Sequence, residues 1–276
     1  MKTMKNILLS VMAAASLLNA GGDITPVESP IIIAEPENTW SYEFQLYGLA
    51  IWINGDATIG ALPSGKVDES PKSIIDKLEM GAMAHFEAHQ NNGWGLWLDY
   101  VFMNLGMGAT LDKSFVNLDA RLDTNIGIYQ GILEAFATYR VPMEKGYMDY
   151  YGGVRWWHNA FDLKTNLNIS GIGSRIKYRA RTIDWYDPVL GARWTYPLNE
   201  NWSFRVRGDV GGFGIQSDFS TAIEVGALYD INENWQVDLR FKSLWVDYEE
   251  GTEGTQDYFA YDTANFGPII GITYKF

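Results

Sequence analysis

From Trp40 onward, apolar and polar residues alternate with a period of two rather than 3.6, in tracts of about ten residues or slightly more between turn signals. Between positions 190 and 198, Leu190, Ala192, Trp194, Tyr196 and Leu198 share one face, while Gly191, Arg193 and Thr195 share the other. The next tract sets Trp202, Phe204, Val206 and Val210 against Ser203, Arg205, Arg207 and Asp209. A third sets Trp235, Val237, Leu239, Phe241 and Trp245 against Gln236, Asp238, Arg240 and Lys242. Each pattern predicts a strand with one oily and one polar face. A water-soluble sandwich would turn the oily face inward, and alternation alone fits that as well.

Aromatic spacing separates the two. On the oily face, rings recur about ten residues apart: Tyr186 with Tyr196, Phe219 with Tyr229, Trp235 with Trp245, and Phe266 with Phe276. About ten strand residues tilted by about 45° cross a hydrocarbon layer, and amphipathic rings prefer its two interfaces. The pairs therefore predict two girdles, the periplasmic one holding Trp40, Trp94, Tyr139, Tyr196, Trp202, Tyr229, Trp235, Tyr274 and Phe276. Short polar turns ("QNNGW", "PMEKG", "LNENW", "INENW") adjoin these residues, as expected on the periplasmic side.

The expected fold is all-β: a transmembrane antiparallel up-and-down β-barrel of ten strands, near 40–54, 78–90, 93–104, 122–141, 147–168, 174–198, 201–215, 218–231, 234–249 and 260–276. The stretch 105–127 leaves room for a different number, eight or twelve. An even count puts both barrel ends on the periplasmic side. Between the first two strands, "SPKSIIDKLE" carries a capping Ser70 and Pro71 at a helix start and predicts a short helix in an outside loop.

Composition adds a compartment. Residues 1–20 have a Lys-bearing start, an apolar run and a small residue at Ala20, the layout of a secretory signal peptide. Two of the 21 basic residues lie there, so the remainder is more acidic than the −13 of the whole chain. Residues 21–39, rich in Pro and acids, read as a periplasmic linker, and residues 40–276 as the barrel. No other apolar run reaches the roughly 18 residues of a helical span. Absence of cysteine excludes a disulfide scaffold, and the acidity argues against nucleic acid as a partner.

Candidate chemistry is sparse. Arg175, Lys177, Arg179 and Arg181 share one strand face that continues the polar face above the membrane, a possible anion-attracting mouth. Alternatively they pair with Asp162, Asp184 or Glu249, or meet lipopolysaccharide phosphates. The polar faces carry Glu43, Glu87, Asp99, Glu134, Asp149, Arg155, Arg193, Arg205, Arg207, Asp209, Glu224, Asp238, Arg240 and Lys242. In a narrow lumen these either interlock into a salt-bridged core or line a thin water path, and both readings stay open. His85, Glu87 and His89 share a face, but histidines at i and i+4 stand about 13 Å apart along a strand, too far to close on one metal. They read as solvated lumenal residues near the lower turn. His158 reads as part of the upper aromatic girdle. "GGFG" at 211–214 lacks the Lys and helix of a phosphate loop and reads as strand glycines that permit curvature.

The segment "GITYKF" resembles the C-terminal signal by which the barrel-assembly machinery recognises outer-membrane barrels, through Gly271, Tyr274 and Phe276, with Ile269 where a polar residue is usual. More widely, residues 40–276 resemble a family of uncharacterised proteobacterial outer-membrane barrel proteins grouped loosely with porins, "RGDVGGFG" and "GPIIGITYKF" being the more specific pieces. That resemblance implies residence in the outer membrane, among its lipid and lipopolysaccharide, and brings no catalytic residue or cofactor. The omptin proteases are similar in strand number but need paired acids and a His–Asp couple at the outer lip. Only His158 lies high enough here, with Asp162, Ser170 and Ser174 near it in sequence, so no enzyme is expected. The leading expectation is porin-like passage of small solutes with an anion preference; the alternative is a closed structural or surface-interaction barrel acting through its outer loops. Oligomeric state and solute are not encoded legibly.

Overall fold

A computed structural model describes residues 39–61, 63–115, 118–169 and 173–276. The expected signal peptide, most of the linker and Ser170 lie outside the described residues. The elements are β1 (Trp40–Leu49), β2 (Trp52–Ile59), β3 (Gly65–Glu69), α1 (Pro71–Lys77), β4 (Leu78–Gln90), β5 (Trp94–Phe115), β6 (Leu118–Pro142), β7 (Tyr147–Ile169), β8 (Gly173–Pro197), β9 (Trp202–Gly211), β10 (Ser217–Asp230), β11 (Trp235–Glu250) and β12 (Phe259–Lys275). Neighbours from β4 to β12 pair antiparallel, and β1 pairs with both β4 and β12, so ten strands close into a barrel, with β2 and β3 as an additional hairpin outside the ring. Closing the ring pairs the strand edges that hydrocarbon does not tolerate, over the height at which β1 joins β4 to β12.

Closure explains the apolar C-terminal tract. Glu43 to Leu49 of β1 register with Lys275 back to Ile269 of β12. Tyr42 and Phe276 exchange backbone hydrogen bonds of 2.9 Å in both directions, and the Phe276 ring stacks on Tyr42 at 5.5 Å and on Tyr274 at 5.7 Å. Gly271 faces inward, where a Cβ would lie 2.6 Å from Asp238 Oδ1, so the glycine of the C-terminal motif also makes room for the barrel's contents.

The exterior is oily. Leu190, Leu239 and Ile270 are each more than 60% exposed, a belt that only hydrocarbon makes favourable. Aromatic contacts between adjacent strands bound it: Trp94 with Tyr139, Trp202 with Tyr229 and Trp235 with Tyr274 at the lower rim, which carries both ends of the barrel, and Trp52 with Phe266 and Trp156 with Tyr186 toward the upper. In the two "NENW" turns, Asn199 Oδ1 accepts from the amides of Asn201 and Trp202, and Asn232 Oδ1 from those of Asn234 and Trp235. The short side chain thus supplies the turn's hydrogen bonds.

Four expectations change. The stretch 105–127 holds no extra strand pair, because β5 and β6 form one long hairpin registered out to Phe115 and Leu118. The strand expected over 201–215, β9, stops at Gly211: Gly212, Phe213 and Gly214 all have positive φ (82°, 54° and 67°) and make the β9–β10 turn. The first strand does not end near 54. It breaks at Ala50 and Ile51, and β2 continues up β12 as far as Ile59 with β3 on its other side. The helix forms where expected, Ser70 accepting from the Ser73 amide at 3.2 Å, but it packs against the barrel through buried Ile74 instead of standing out in a loop.

The break depends on Gly267, which sits where any side chain would strike the Ala50 carbonyl. Gly267→Val should therefore cost about 3 kcal/mol and prevent the refolded chain from showing a heat-modifiable gel shift. Gly48→Ala, whose new methyl meets nothing within 4 Å, should fold as the parent does.

Candidate functional site

Period-two alternation sends charged residues from strands around the ring into one lumen. Register then sets opposite charges side by side: Glu134 opposes Arg155, Asp149 opposes Arg193, and Glu224 lies between Arg207 and Lys242. Three linked groups result. Arg193 of β8 reaches across to Glu87 of β4 (Nη2 to Oε2, 2.7 Å) and to Asp149 (2.7 Å), which also holds Arg140 at 2.6 Å. Arg155 and Arg207 share two carboxylates, Glu134 at 2.7 and 2.8 Å and Asp209 at 3.0 and 2.9 Å. Arg240 binds Glu224 at 2.7 Å and Asp238 at 2.6 Å, and Gln45 links this group to Thr273 on β12. The Trp97 ring lies between the first two groups, with the guanidinium carbons of Arg193 and Arg207 at 4.7 and 4.3 Å from its centre.

These ions are dry. Asp149, Arg155, Glu134, Arg193 and Arg207 are all at most 2% exposed. Desolvating each costs several kcal/mol, recovered only through bidentate pairing of this kind. The cavity that remains among them is about 20 Å³, room for about one water. Arg205 lines it and donates to Thr195 at 3.2 Å. Lys242 also lines it, and differs from the belt arginines in having no hydrogen bond or ion pair among the described residues.

The histidines are not solvated. His85 bridges Glu87 (2.7 Å) and Asp99 (3.1 Å), and His89 takes the other Glu87 oxygen at 2.9 Å. Both rings are mostly buried, and each places its Nε2 on the Glu87 carboxylate that Arg193 also holds.

Above the ions the lumen turns apolar, which the polar faces did not announce. Trp157 stacks on Trp185 at 5.2 Å and Trp185 on Tyr248 at 4.1 Å, with Ile183, Leu244, Val246, Phe259 and Tyr261 completing a buried cluster. The available signal is the aromatic doublets Trp156–Trp157 and Trp185–Tyr186, which put a ring on both faces of a strand.

Of the basic run, Arg175, Lys177 and Arg179 are exposed and form no ion pair among the described residues. Arg181 points inward and grips the β11–β12 loop, donating to the carbonyls of Asp257 (2.6 Å) and Tyr258 (2.7 Å). The acids nearest in sequence are otherwise engaged, Asp162 by Tyr178 and Asp184 by His158 (2.6 Å) and Trp156 (3.1 Å). In that same loop the Thr255 hydroxyl holds the Asp257 carboxyl below the usual carboxylate range. The His158–Asp184 couple faces outward beside Tyr129.

No protein-family model and no curated protein matches the chain by sequence. Solved structures match by fold. The outer-membrane protease OmpT of Escherichia coli is 12% identical over 87% of this chain and 97% of its own, with a TM-score of 0.50. The translocator domain of the autotransporter NalP of Neisseria meningitidis is 13% identical over 88% and 90%, TM-score 0.40. The Ralstonia pickettii toluene transporter TbuX is 12% identical over 87% and 90%, TM-score 0.32. The chain has the fold of the outer-membrane β-barrels.

Removing one member of the ionic belt leaves its partners buried and uncompensated. Arg155→Met should lower stability by about 3–5 kcal/mol, whereas Arg175→Ser on the exposed run should stay within about 0.5 kcal/mol. Equilibrium urea unfolding of the refolded barrel in lipid vesicles, followed by tryptophan emission, measures both.

Proposed function

We propose that this protein is an outer-membrane barrel with a closed interior, its termini on the periplasmic side, which works at its outer rim and wall rather than as a diffusion pore. The observation that carries this reading is the belt of paired carboxylates and guanidinium groups around Trp97, with the Trp157–Trp185–Tyr248 stack above it. A hydrated solute on the barrel axis would have to part both layers, and parting the first exposes several unpaired charges at once. No catalytic step belongs to this reading: the His158–Asp184 couple faces away from the lumen and is occupied by girdle neighbours.

At the rim, Arg175, Lys177 and Arg179 stand exposed on the upper part of β8. Three cations without ion-pair partners among the described residues raise the concentration of anions nearby, which fits contact with lipopolysaccharide phosphates or an anionic surface partner. The porin reading uses the same residues as the mouth of an anion path, and conductance separates the two. Refolded into a planar bilayer under a salt gradient, the full chain should give no discrete current steps. Steps with an anion-favouring reversal potential, lost when Arg175, Lys177 and Arg179 are changed to Ser, would replace the closed-barrel reading with the porin.

A further inference from the structure

The barrel wall is incomplete on one side. The β1–β4 ladder ends at Leu46 and Ala84. Above that level β2 stays on β12 and takes β3 as its other partner, so residues 78–83 of β4 have β5 on one side and no strand on the other. Helix α1 lies against this gap. Its Ile74 is buried with Ile53 and Leu105, and Glu69 at the end of β3 clasps it by accepting from Ser73 (2.5 Å) and Lys77 (2.8 Å). Those two contacts hold the Glu69 carboxyl below its usual range, Lys77 first.

The gap is a cavity of about 230 Å³ whose lining comes from both faces of the same strands: outward-facing Gly48, Ala50 and Ala82, and inward-facing Leu49, Ile51 and Met83. A cavity with such a lining passes through the wall. It opens below the level of Trp52 and Phe266, in the band that the exposed apolar belt assigns to hydrocarbon. Inward, it shares Leu49, Ile51, Met83 and Met103 with a second cavity of about 50 Å³. The lining of that inner end includes three polar side chains, Gln130, Lys242 and Asn265. Lys242 lines it, 8% exposed and with no hydrogen bond or ion pair among the described residues, beside Asn265, whose buried Oδ1 has no donor.

We propose that this passage binds a long-chain fatty acid taken laterally from the membrane, its alkyl chain in the wall gap and its carboxylate on the Lys242 ammonium. Chains of that chemistry are the solvent outside the opening. An apolar cavity of roughly 150 Å³ suffices to bind benzene, so the larger outer chamber accommodates a run of methylenes, and the inner one accommodates a head group. Lys242 lies within electrostatic reach of Glu134 and Glu224. Both carboxylates already hold arginines, which leaves the donor hydrogens of Lys242 for a ligand. The proposal is independent of whether the lumen conducts.

The test is saturable binding of radiolabelled palmitate to the full chain in phospholipid nanodiscs, corrected against empty nanodiscs, with unlabelled palmitate and hexadecanol as competitors. One site per barrel is expected, with palmitate the better competitor by on the order of tenfold, as a hydrogen bond to a charged group supplies. Lys242→Met should bring the two competitors together. Gly48→Leu, which places a side chain in open space at the outer mouth, should abolish saturable binding while keeping the heat-modifiable gel shift of a folded barrel. Absence of a saturable site, equal competition in the parent, or unchanged binding in a folded Gly48→Leu variant would each overturn the proposal.

Discussion

Ten strands closed in a ring leave an interior wide enough for side chains and little else. Every inward position must therefore be filled by something that tolerates its neighbours, while every outward position meets hydrocarbon. This protein divides the interior by height. In the lower half, carboxylates and guanidinium groups from non-adjacent strands meet around Trp97 and neutralise one another. In the upper half, stacked rings exclude water without any charge. The glycines follow from the same constraint: Gly271 gives space to Asp238 and Gln45, and Gly191 to Tyr151 and Asp209.

The break at Ala50 and Ile51 is a second consequence of ring geometry. By keeping β2 on β12, it leaves β4 without a partner strand near its top, and a seven-residue helix takes the place of a strand. A wall completed by a helix is held by side-chain packing rather than by a backbone ladder. Its outer side carries the small residues Gly48, Ala50 and Ala82. The closed axis and the lateral gap are thus compatible features of one barrel.

Much of this was legible in the sequence, for local reasons. Alternation gave the strands, ring spacing gave the girdles, and Ser70 with Pro71 marked the helix start, because each of these is decided within a few residues. The strand break was not legible, since it rests on Gly267 of β12 meeting a carbonyl from the opposite end of the chain. Nor could the sequence choose between a salt-bridged core and a water path. That choice depends on Glu87 of β4 meeting Arg193 of β8, a pairing across the lumen that no strand register encodes. The histidines were misjudged as solvated because their partner Glu87, two residues from each on their own strand, is itself held by Arg193 from across the lumen. Arg181 differs from its basic neighbours only through a loop that folds over it.

The account stands on the lower lumen being dry and interlocked, and hydrogen exchange at the Trp97 indole N–H, followed by NMR of the refolded barrel, tests that most directly. This N–H is buried and has no acceptor among the described residues, so only exclusion of water protects it. A resonance that outlasts those of the girdle residues Trp94, Trp202 and Trp235 by hours is the predicted result. Exchange of Trp97 as fast as that of the girdle would mean that water enters the ionic belt freely, and would contradict the closed barrel.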